Sequence, residues 1–66
     1  MLNEKFGISA GLVWNLLNEE GKLNVKDVKK ATKLTEKDMY AAFGWLAREE
    51  KIRFEENNKE LFVSLL

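Results

Sequence analysis

The apolar positions of this chain follow two rhythms, a helical one first and an alternating one at the end. Ala10, Val13, Trp14 and Leu17 recur at i, i+3, i+4 and i+7, the spacing of one buried helical face. It predicts a first helix starting near Ile8 or Ser9, with Ser9 as N-cap. Gly21 stops it, just after Glu19-Glu20. Lys22-Leu23-Asn24 is then a short extended piece, and Asn24 caps a second helix from Val25 to about Thr32, with Asp27 in a capping-box relation. Val25, Val28 and Ala31 make its apolar side. Lys33-Leu34 is the turn. Thr35 caps a third helix running to about Glu50, with Glu36 and Asp38 in its first turn, where negative charge suits the helix dipole. Met39, Ala42, Phe43 and Leu46 share one side of it, Lys37, Ala41, Gly44 and Arg48 the other, and Tyr40 and Trp45 flank the edges.

After Glu50 the period becomes two. Ile52 and Phe54 alternate with polar residues, Asn57-Asn58 is a turn dipeptide, and Leu61, Val63 and Leu65 alternate with Phe62, Ser64 and Leu66. The expectation is an α+β fold in one domain, residues 1–66: three helices, a short strand between helices one and two, and a C-terminal β-hairpin. Two helices joined by a tight turn make a helix-turn-helix, and a hairpin directly after it is a wing.

Local segments support a winged helix-turn-helix. Val13-Trp14-x-x-Leu17 followed by Leu23-Asn24-Val25-x-x-Val28 resembles the first and second helices of winged-helix regulators. Arg48-Glu49-Glu50-Lys51-Ile52 after Leu46 resembles their passage from third helix to wing. More narrowly, the segment from Ala42 to Ile52 (AFGWLAREEKI) resembles a family of very short bacterial winged-helix proteins without an assigned function.

Composition then excludes several classes. There is no Cys and no His, hence no disulfide, no ordinary zinc site and no His-based catalytic arrangement. Ser9 and Ser64 are the only serines, and neither has a histidine to activate it. The carboxylates fall on helix ends and the hairpin tip, so no enzyme, metal or cofactor is expected. No apolar run reaches the ~20 residues of a membrane span, and the mixed N-terminus is no signal peptide, so a cytoplasmic location is expected.

Charge is balanced in total and uneven in place. Six lysines face two acids between residues 22 and 37, and five glutamates face three bases between residues 49 and 60. The resemblance implies binding to double-stranded DNA, with helix three in the major groove. Thr35, Lys37, Tyr40, Ala41, Gly44 and Arg48 would then face bases or phosphates, and Lys26, Lys29, Lys30 and Lys33 would contact phosphate. The wing tip carries Glu55, Glu56 and Glu60, which phosphate repels, and the first two turns of helix three hold no Arg, Asn or Gln to read a base. The alternative is a winged-helix module that binds another protein instead. Trp14 is expected in the core. Trp45 is expected to pack in the core or an interface rather than stack on bases. Gly44 either permits close approach or is merely tolerated.

The first helix has a second apolar row. Ile8, Leu12 and Leu16 lie roughly 150° from the first face, and Phe62 and Leu66 lie on the outer side of the last strand. A 66-residue domain has little left to cover both. A homodimer interface of Ile8, Leu12, Leu16, Phe62 and Leu66 is one reading, and a covering N-terminal segment with Leu2 and Phe6 is the other.

Overall fold

Two helix caps and a few left-handed residues set the path of the chain. The computed structural model describes residues 2–66, with side chains from Gly7 onward. Helix α1 spans Leu2–Glu20. It ends where Gly21 takes φ 78° and donates its N–H to the Leu17 carbonyl at 2.8 Å. It begins nearly two turns earlier than the spacing predicts. Ser9 is therefore no N-cap: it lies inside the helix and is only 5% exposed. Nothing in the first residues breaks a helix except Gly7, whose cost of ~1 kcal/mol is too small to stop one. The Leu2 and Phe6 side chains, expected to offer a cover, lie outside the described residues.

Strand β1 is Leu23–Asn24 and helix α2 is Val25–Thr32. The Asn24 side chain caps α2 by accepting from the Lys26 N–H at 2.8 Å. Lys33, at φ 59°, closes the helix with its N–H on the Lys29 carbonyl. Val25 and Val28 are buried, but Ala31 is exposed, contrary to expectation. Thr32 is half-buried instead: its hydroxyl donates to the Val28 carbonyl and accepts from the Leu34 N–H. Helix α3 is Glu36–Arg48, capped by Thr35 accepting from the Asp38 N–H at 3.1 Å. It ends two residues short of the expected Glu50. That residue turns left-handed at φ 57°, and the Lys51 N–H returns to the Leu46 carbonyl at 3.0 Å.

Strands β2 (Ile52–Asn57) and β3 (Glu60–Leu65) form the hairpin, and β3 lies between β1 and β2 in an antiparallel sheet. The turn residues are Asn58 and Lys59, at φ 51° and 65°, one position later than the sequence indicates. Asn57 still pairs with Glu60. A two-residue turn of this hand needs positive φ at both central positions. A one-residue slip would turn Val63 outward, so burial of that residue holds the register. Across the sheet Leu23, Val63 and Phe54 lie in one row, and Asn24, Phe62 and Glu55 in the next.

The core gathers Ala10, Val13 and Leu17 of α1, Val25 and Val28 of α2, all four expected positions of α3, Ile52, and Val63. Leu16, Leu23, Leu34, Leu61 and Leu65 pack partly buried around it. Trp14 departs from expectation: at 36% exposure it sits at the edge of the core. It lines a groove with Trp45 and Leu46 of α3 instead of being enclosed.

Leu17→Ala is expected to cost about 3 kcal/mol, much of the roughly 3–10 kcal/mol available to a domain of this size. Glu50→Gly, which relieves a left-handed non-glycine residue, is expected to add about 1 kcal/mol. Urea unfolding followed by circular dichroism checks both signs.

Candidate nucleic-acid interface

Helix α2 is short and amphipathic, so burying Val25 and Val28 turns its lysines to solvent. Lys26, Lys29, Lys30 and Lys33 are all exposed and, with Leu34, border one wide depression. Lys26 and Lys29 also border a cleft of about 260 Å³ between α2 and α3, floored by Val25 and Met39 and flanked by Glu36 and Tyr40. On its α3 side this cleft is lined by Glu36, Met39 and Tyr40, and the exposed Lys37 lies in the same first turn of α3. No ion pair joins any of these lysines, or Lys37, to another described residue. An unpaired row of this kind can neutralise phosphates as point charges.

The α3 residues of the expected site separate by depth. Thr35, Lys37, Gly44 and Arg48 are exposed, Tyr40 is half exposed, and Ala41 is half-buried. The Thr35 hydroxyl is engaged as the cap. A methyl group on Gly44 would meet nothing within 4 Å, so no contact within the chain requires glycine there. Tyr40 meets the Phe43 ring edge-on at 5.8 Å, and Phe43 meets Phe54 at 5.4 Å. This aromatic row ties α3 to the wing and fixes the angle between them. Sequence reasoning placed all three rings without seeing that they join. The pairing of Phe54 with Val63, which faces the core, is what brings it to Phe43.

The outer face of the wing is closed by charge. Lys22 hydrogen-bonds and ion-pairs with Glu55 across β3, and its ammonium lies 5.6 Å from the Phe62 ring centre. Phe62 is thus half-buried beneath a polar pair. Of the other residues assigned to an interface, Leu16 packs partly against the core, whereas Ile8 at 67%, Leu12 at 47% and Leu66 remain exposed. Among the described residues no group of three or more acids could hold a metal, and no helix is long and apolar enough to cross a membrane.

The Lys22 hydrogen bond and charge hold the Glu55 carboxyl below its ordinary value of 4.5. A lowered folded-state value stabilises the fold above the ordinary glutamate range, and that contribution is lost as pH falls through the lowered value. Carboxyl NMR titration is expected to find Glu55 titrating below the ordinary glutamate value, and Lys22→Gln to bring it back toward that value.

The fold is shared with proteins of known structure. A protein of Bacteroides thetaiotaomicron, known from a solution NMR structure, is 31% identical, with a TM-score of 0.88. The match covers 98% of this chain and 79% of that one. The Zalpha domain of PKZ from Carassius auratus, crystallised with Z-DNA, superposes with a TM-score of 0.78 over 92% of this chain and 97% of its own, at 13% identity. At that identity the likeness is one of fold alone. No curated protein matches the sequence. Residues 1–65 match the family described as winged helix-turn-helix domain (DUF2582), and the chain belongs to that family.

Proposed function

We propose that this domain binds double-stranded DNA along its phosphate backbone, through α2 and the first half of α3, and acts as a homodimer. The observation that carries the reading is the set of exposed lysines, Lys26, Lys29, Lys30 and Lys33 along α2 and Lys37 in the first turn of α3, none of them ion-paired with a described carboxylate. The Zalpha neighbour binds Z-DNA with the same fold, which makes a duplex a reasonable partner for it. Binding is weakly sequence-selective. Lysines supply charge without bidentate base reading, and helix α3 has no Arg, Asn or Gln in its first two turns. The wing takes no part in phosphate contact, because Glu56 and Glu60 at its tip repel phosphate and Glu55 already holds Lys22. Two copies double the lysine set, which raises affinity without a new contact.

The test is salt. Each phosphate contacted contributes a slope of about −0.9 in log affinity against log salt, so five lysines give about −4.5 per chain. Charge reversal of Lys26, Lys30, Lys33 and Lys37 to Glu is expected to abolish retardation of a mixed DNA fragment pool while the far-ultraviolet spectrum stays unchanged, since all four are exposed. No retardation by the wild-type chain at low salt would refute the reading and favour a protein-binding role for this face.

A further inference from the structure

The outer side of α1 is dressed for contact with protein rather than water. From Gly7 to Asn18 the chain carries no charged residue, although charged residues make up 33% of the whole. Gly7, Ile8, Gly11, Leu12 and Asn15 of that stretch are exposed. A solvated helix ordinarily puts charged or polar residues on its outer face. Depletion of charge with enrichment of aromatic residues marks the core of an interface.

The glycines are the second oddity. Gly7 and Gly11 are one turn apart, and a methyl group on either would meet nothing within 4 Å. Glycine is a poor helix former, and no contact within the chain accounts for two of them here. Beside them runs a groove of about 240 Å³ between α1 and the end of α3, walled by Trp14 and Trp45, with Glu49 and Lys51 at its rim. Both indoles are more than a third exposed.

No described residue covers this face. The backbone from Leu2 continues α1 along its own axis instead of folding back. The Leu66 N–H is tied to the Lys51 carbonyl at 3.0 Å at the other end of the chain.

We infer that the occupant is a second copy of this chain, and that two α1 helices cross closely at Gly7 and Gly11. The surface is self-complementary. Each glycine gap lies next to a projecting apolar side chain, Ile8 or Leu12, so a two-fold axis sets the projections of one copy into the gaps of the other. Glu49 and Lys51 give each groove one charge of either sign, which the same axis can pair across copies. Specific interfaces bury ~800 Å² per partner. One helical row is narrower than that, so Trp14 and Trp45 belong to the contact as well. This inference rests on the homodimer reading and moves its surface from the outer wing face, where Lys22 and Glu55 pair over Phe62, to the outer side of α1.

Sedimentation of the full chain across micromolar concentrations tests it. A concentration-dependent dimer is expected, with a blue shift of tryptophan emission as it forms. Leu12→Glu is expected to give a folded monomer. Gly11→Leu is expected to weaken association about tenfold or more with no loss of helix content, because leucine favours a helix more than glycine and a Cβ at this position meets nothing within 4 Å. Phe62→Glu is expected to leave association unchanged. Dimers that persist in both Leu12→Glu and Gly11→Leu, or that dissociate in Phe62→Glu, overturn this interface while leaving the homodimer reading in place. A strict monomer at every concentration overturns both.

Discussion

Closure of the α1 stripe Ala10, Val13 and Leu17 onto Met39, Ala42, Phe43 and Leu46 of α3 is the contact on which the rest of this domain depends. It positions α3, and α3 in turn aims the wing through the Phe43–Phe54 contact. Val63, fully buried in the middle strand, completes the same core from the sheet side and holds the hairpin register. With 66 residues and no disulfide or zinc site, there is one core of this kind and no reserve behind it. Every element therefore buries one face only, and whatever lies on its other face is left for solvent or a partner.

The faces left over differ in character, and the difference is physical. On α2 and the start of α3 lysines outnumber the exposed Asp27 and Glu36, and their charges can meet a polyanion. On the wing Glu55, Glu56 and Glu60 outnumber the exposed Arg53 and Lys59, and Lys22, from before β1, is drawn across to pair with Glu55 and roof Phe62. On α1 they are glycine, isoleucine, leucine and asparagine, with two indoles at the side. A total charge of zero conceals three surfaces of different chemistry.

Much of this was legible along the chain. The four buried positions of α3, both caps at Asn24 and Thr35, the stop at Gly21 and the hairpin all follow from side-chain period and capping chemistry, which act over a few residues. The lysine row was legible as well, because burial of Val25 and Val28 leaves it nowhere but outside. The misses come from longer range. The start of α1 lies well before Ser9, because a serine that could cap a helix does not oblige the helix to begin there, and Gly7 is only a weak penalty. Helical angle puts Trp14 and Ala31 on the core side but does not say how far the neighbouring elements reach over them, and both are exposed. Thr32 is half-buried in place of Ala31, with its hydroxyl bonded to the Val28 carbonyl and the Leu34 N–H.

Sequence by itself determined the order and type of the elements, the core face of each helix and the separation of basic from acidic regions. These are set by local periodicity and by which residues carry charge. Tertiary structure alone decided that Phe62 lies beneath the Lys22–Glu55 pair, that Leu16 packs inward while Ile8 and Leu12 do not, and that Trp14 and Trp45 face each other across a groove. Lys22 and Glu55 are 33 residues apart, and Trp14 and Trp45 are 31 apart. Contacts over such separations depend on how the helices cross and how the strands register, which no local pattern encodes.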